Sequence, residues 1–207
     1  MLYKWTLKHC PNVKYVLKTD DDAFVDTYHL PGFLTRHQFD KETDFFLCFV
    51  LKGYKPRRNV GDKWFVTRDE YDQDEYPPYC AGPIYVTKTK TMKKVLAKVE
   101  NMNYLFIDDL LLTGIAAKGI TSHYDWSKGF LESHIDSAEN LLSPSSLFYT
   151  PELLAAINLN STSILHLHRK AKLCHKHPKC HSLLDQLPSD YMKPEKVSNL
   201  FISRSEL

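Results

Sequence analysis

The sequence predicts one α/β domain, on three observations. Apolar segments of strand length recur through the first half, at 13–19, 45–51 and 84–87. Stretches with helical spacing follow, at 90–99 and 106–119. The chain's 207 residues are 43% hydrophobic and 25% charged, which suits a single packed core and neither a disordered nor a fibrous chain.

Val13-Lys14-Tyr15-Val16-Leu17-Lys18-Thr19 alternates like a strand and runs into Asp20-Asp21-Asp22. No buried strand holds three unpaired carboxylates, so the triplet belongs at the strand's end. In open α/β sheets that is where ligands bind. Phe24-Val25-Asp26 resumes an apolar segment, and Pro31-Gly32 predicts a break. Residues 45–51 form a second strand and Lys63-Trp64-Phe65-Val66-Thr67 a third. Pro77-Pro78 and Gly82-Pro83 bracket a rigid loop, and Ile84-Tyr85-Val86-Thr87 reads as another strand. Met92, Val95, Leu96 and Val99 then share one face of a helix. The next helix, 106–119, begins with Asp108-Asp109 and stops at Gly119. Ser143-Pro144-Ser145-Ser146 predicts a loop and Ser163 to His168 a short strand. The domain spans 1–185, and 186–207 reads as a mobile tail.

A net charge of +2 and a pI near 8.2 give no concentrated basic stripe, which argues against nucleic acid as a partner. Lys55, Arg57 and Arg58, and the basic stretch 169–179, read first as solvated faces. No run approaches the roughly 18–20 apolar residues that span a bilayer, and Met1-Leu2-Tyr3-Lys4-Trp5 lacks a signal peptide's apolar region. Five cysteines leave an odd one, so one thiol is either free or paired between molecules. Asn160-Ser161-Thr162, an N-glycosylation sequon, leans toward the secretory pathway.

Three places carry candidate chemistry. Three consecutive aspartates repel one another, so they call for a cation or several donors, and their position after a hydrophobic strand favours a divalent metal. Asp108-Asp109 reads either as a helix N-cap or as a catalytic carboxylate; the helix dipole there predicts a depressed pKa. Five of the ten histidines lie between 166 and 181, interleaved with Cys174 and Cys180. The cysteine spacing is wrong for a structural zinc site. His166 and His168, two apart on the expected strand, share one face and offer a neutral imidazole to a metal held mainly by carboxylates, a ligand set that suits manganese better than calcium.

Four blocks occur in order: Tyr15-Val16-Leu17-Lys18-Thr19-Asp20-Asp21-Asp22-Ala23-Phe24-Val25; Lys63-Trp64-Phe65-Val66 with Tyr71; Tyr76 through Val86; and Ile107-Asp108-Asp109-Leu110-Leu111-Leu112-Thr113-Gly114. Together they resemble glycosyltransferase family 31, the β1,3-galactosyltransferase and β1,3-N-acetylglucosaminyltransferase group. The resemblance covers roughly residues 5–120.

It implies a GT-A-like fold, a mixed sheet flanked by helices and incomplete at its N-terminus. It further implies an inverting hexosyltransferase that moves galactose or N-acetylhexosamine from a UDP-sugar to a glycan on a glycoprotein or glycolipid. Asp22 would ligate Mn²⁺, with His166 or His168 as a further ligand, while Asp20 and Asp21 contact the nucleotide. Tyr79 and Gly82 would line the donor-sugar and acceptor region, and Asp109, supported by Asp108, would be the base. Cys80 would be structural. Asp108 stands where many members have Glu, and Pro83-Ile84 replaces a Gly-rich stretch. The expected address is the Golgi membrane, lumenal side, through an anchor outside these residues. The alternatives are a non-catalytic, truncated glycan- or nucleotide-binding remnant, or a zinc module at 166–181.

Overall fold

The computed structural model describes residues 2–37, 39, 41, 44–125, 130–132, 154–157 and 159–176. The chain divides into two compact units, one of residues 1–21 and 38–128, the other of residues 22–37 and 129–207.

The first unit is built on a four-stranded mixed sheet. Its strands are β1 (Tyr15–Thr19), β3 (Phe45–Leu51), β4 (Tyr79–Lys88) and β5 (Ser122–Asp125), in the order β1-β4-β3-β5. β4 pairs antiparallel with both β1 and β3, while β3 and β5 run parallel. Helix α1 (Leu2–His9) lends Tyr3, and helix α3 (Thr89–Val99) lends Met92 and Val95, to a core over Phe46, Cys48 and Tyr85. The spacing of Met92 and Val95 places both on the buried face, as the sequence predicts. A disulfide joins Cys48 to Cys80 across β3 and β4.

Residues 77–83 are not the loop expected from their prolines and glycine. β4 starts at Tyr79 and runs through Gly82 and Pro83. Opposite β3 the register shifts: Cys48 faces Tyr85, but Val50 faces Cys80, so residues 81–84 oppose Phe49 alone. Inside such a bulge the missing proline N–H breaks no ladder bond. Pro83's carbonyl still accepts the Asp20 N–H at 2.9 Å.

Lys63–Thr67 is not a strand either; it makes one isolated bridge, Phe65 with Arg57. The Arg58 guanidinium donates to the carbonyls of Val66 (2.7 Å), Tyr71 (2.7 Å) and Gln73 (3.0 Å), occupying acceptors that a strand would give to a ladder.

The second unit has a small sheet, β2 (Phe24–Val25), β7 (Ala155–Ile157) and β6 (Phe130–Glu132), in the order β2-β7-β6. Pro31-Gly32, expected as a break, sits in the first turn of helix α2 (Leu30–Arg36), where a proline's missing N–H is already without a helical partner. Helix α4 (Ser161–Lys176) replaces the strand expected at 163–168. Its buried residues Ser163, His166, Leu167, Lys170, Ala171 and Cys174 follow one helical stripe, packed with Phe24, Ala156 and Leu159. The expected loop at 143–146 and the tail at 186–207 lie outside the described residues. No helix among the described residues is long and apolar enough to cross a membrane.

Candidate active site

β1 ends at Thr19 and delivers Asp20, Asp21 and Asp22 into an exposed turn, as the sequence predicts. The Lys18 ammonium contacts both the Asp20 carboxylate and the Gly82 carbonyl, so part of the triplet's repulsion is answered by a lysine two residues upstream. Asp22 opens the second unit, where its carbonyl accepts the Leu159 N–H at 2.8 Å. Leu159 precedes Asn160, whose Oδ1 accepts the Ser163 N–H at 2.8 Å and caps α4.

Asp108 and Asp109 stand before a π-helix, Leu110–Ile115, in place of a longer regular helix. Asp109 Oδ1 accepts the Leu110 N–H at 2.9 Å, so the capping role is real. Gly119 closes this segment with φ of 79°, a left-handed conformation that a side chain would strain. The expected pKa depression of Asp109 is overturned. Burial pushes its carboxyl above the usual range, Asp108 adds to the rise, and the Leu110 N–H and the Lys18 charge only partly oppose it. Gly82 makes room for this carboxylate: a Cβ there would lie 3.1 Å from Asp109 Oδ2.

Tyr79 is buried against Tyr76, with Leu110 and Leu111 in the same cluster. Burial, with the Asp109 charge second, pushes its hydroxyl up to about 12. It is therefore a neutral donor at physiological pH.

The two histidines expected on one face lie on different sides of α4, because residues two apart on a helix point in nearly opposite directions. His166 is 5% exposed and its Nε2 has no hydrogen-bond partner; burial, then Lys170 and Arg169, bring its pKa down to about 4. His168 is exposed, its ring 5.5 Å from that of Tyr28. Cys174 is disulfide-bonded and so is no thiolate ligand for zinc; His177, Cys180 and His181 lie outside the described residues. Among the described residues no three His, Cys, Asp or Glu side chains are gathered to hold a metal. The exposed carboxylates of Asp20, Asp21 and Asp22 and the neutral, unpartnered imidazole of His166 are donor types that a divalent cation takes.

Sequence reasoning missed Asp26, which is fully buried and accepts from the N–H groups of Tyr28 (3.0 Å) and His29 (3.1 Å), with His29 Nδ1 at 2.6 Å. Its available signal was an aspartate followed within a few residues by Pro31, the pattern of a turn entering a helix.

A mixed α/β architecture that sets carboxylates at a strand end and at a half-buried helix start belongs here to the glycosyltransferase class. Residues 1–125 match the Galactosyltransferase family, and the chain belongs to that family. It is 31% identical over 114 residues to human (Homo sapiens) beta-1,3-galactosyltransferase 2, covering 55% of this chain and 27% of that protein. It is 33% identical over 115 residues to beta-1,3-galactosyltransferase 5 of Mus musculus, covering 56% of this chain and 37% of the relative. A third relative, beta-1,3-galactosyltransferase 5 of Pan troglodytes, is 32% identical over 109 residues, covering 53% of this chain and 36% of that protein. The chain thus spans about a quarter to a little over a third of the length of these relatives.

Proposed function

We propose that this chain carries the catalytic part of an inverting, UDP-sugar-dependent β1,3-hexosyltransferase of a Golgi lumen. The observation that carries the reading is Asp109: a half-buried carboxylate with raised proton affinity, kept clear by Gly82 and oriented by its own helix cap. A base so tuned takes a proton at neutral pH more readily than a solvated aspartate.

In this reading the acceptor hydroxyl gives its proton to Asp109 while its oxygen forms a bond to the anomeric carbon. The bond from that carbon to the UDP oxygen breaks on the opposite side, and the configuration inverts. Asp108 maintains the acidic surroundings of the base, and Asp20 and Asp21 face the nucleotide. Asp22, with His166 or His168, would hold Mn²⁺. A divalent cation held there supplies charge neutralisation to the departing diphosphate. Galactose is the donor sugar that the relatives' names favour.

The test is calorimetry of UDP with this chain, with and without Mn²⁺, beside Asp22→Ala. Metal-dependent binding that the substitution abolishes is expected. A folded chain that binds no UDP in either condition overturns the donor-site assignment and favours a non-catalytic remnant.

A further inference from the structure

Among the exposed aromatic rings of the first unit, Trp64 and Phe106 sit on hydrogen-bonded or core-anchored backbone. Trp64 is 49% and Phe106 38% exposed, yet their rings lie parallel, at an interplanar angle of 6° with centroids 6.3 Å apart. The Trp64 N–H donates to Asp62 Oδ1 at 2.8 Å, and the next N–H, of Phe65, to the Asp62 carbonyl at 3.0 Å. Val66 is fully buried and its carbonyl is held by Arg58. Phe106 stands between Leu105 and Ile107, both in the core. Lys63 Nζ lies 4.8 Å from the Trp64 ring centroid.

We propose that Trp64 and Phe106 form a stacking platform for a pyranose ring of the acceptor saccharide. This rests on the glycosyltransferase reading of Asp109 and adds what holds the acceptor. A β-linked hexopyranose presents a patch of axial C–H groups, made slightly positive by the neighbouring oxygens. Such a patch complements the negative face of an indole or phenyl ring. The sugar's hydroxyls need donors, and the Lys63 ammonium, which lies over the Trp64 ring and fixes the indole by its cation–π contact, has N–H groups to offer them. Phe106 and Asp109 belong to one short segment, anchored between them by buried Ile107 and closed by the Asp109 cap on Leu110. The neighbours of Trp64, Asp62 and Lys63, are exposed and charged.

Saturation-transfer NMR tests the platform, using methyl β-galactopyranoside and methyl N-acetyl-β-glucosaminide with the wild-type chain, Trp64→Ala, Phe106→Ala and Trp64→Phe. Saturation is expected to concentrate on the axial protons of one sugar face. Each alanine variant should weaken binding about tenfold, and Trp64→Phe should retain most of it. UDP calorimetry and the melting temperature should stay unchanged. If an alanine variant does not fold, Lys63→Met, at an exposed side chain, gives the same reading through weaker binding. Wild-type chain that binds neither glycoside, or variants that bind as well as wild type, overturn the platform. Loss of UDP binding in wild type sinks the donor-site reading separately.

Discussion

Asp109 carries two opposed demands on one carboxylate. Its cap with Leu110 and the Lys18 charge favour the ionised form, whereas burial and Asp108 favour the protonated one, and burial prevails. A carboxyl whose folded pKa is raised binds its proton more tightly folded than unfolded. Its contribution to stability is therefore full below the unfolded value, about 3.9, and is lost as pH rises through the folded value. At neutral pH the ionised group is a net cost. Asp109→Asn keeps an oxygen for the Leu110 N–H and removes the charge, so the variant should melt higher than wild type at pH 7. The gain should shrink as pH falls toward 4. Each kcal/mol recovered raises the melting temperature by about 2–4 °C in a chain of this size. Thermal melts at pH 4 to 8 check it, and a variant less stable at pH 7 would show that the charge is better solvated than its burial implies. In the enzymatic reading the same substitution abolishes transfer, as expected of a site that trades stability for chemistry.

Helix α4 shows why some elements were legible and others were not. Its buried stripe is periodic, but it places Lys170, His166 and Ser163 among the apolar residues. Polar residues at buried positions hide the period from a count of apolar ones. The apolar count therefore points to a strand at Ser163 to His168 and, wrongly, to His166 and His168 on one face. β4 was hidden differently: Gly82 and Pro83 are breakers by local rule, and only the bulge opposite Phe49 shows why a strand tolerates them. Where no such exception intervenes, as in β1, β3 and α3, the pattern and the structure agree. The start of α4 is now testable. Asn160→Ala removes the acceptor of the Ser163 N–H and should cost about 1 kcal/mol in urea denaturation, while Asn160→Asp should restore nearly all of it. An alanine variant as stable as wild type would mean that water satisfies that amide equally well.

For the molecule as a whole, the family was legible because its residues cluster in short, ordered blocks, whereas the tuning of the site was not. That Asp109's pKa rises, that Gly82 leaves it room and that Lys18 reaches both Asp20 and Gly82 depend on strands brought together from distant parts of the chain. The cysteines show the same divide. An odd count leaves one thiol free or paired between molecules, and Cys10 is free among the described residues, but the Cys48–Cys80 pairing depends on the register shift that sets Cys80 opposite Val50, two residues from Cys48. That bridge closes a separation of 32 residues, a stretch that includes the Trp64 turn. Loop-closure entropy gives it about 3–4 kcal/mol. Against the roughly 5–15 kcal/mol that holds a typical domain folded, this is a large share. A Cys48→Ala/Cys80→Ala chain should therefore unfold at clearly lower urea than oxidised wild type. Using the double variant avoids leaving a buried lone thiol and leaves the Cys174 bridge intact, which a reducing agent would not. Equal midpoints would show that the sheet's own pairing suffices and would remove the disulfide as support for an oxidising compartment. The expected large drop would mean that the fold carrying Asp109 relies on such a compartment for its stability, consistent with the Golgi lumen of the proposed function.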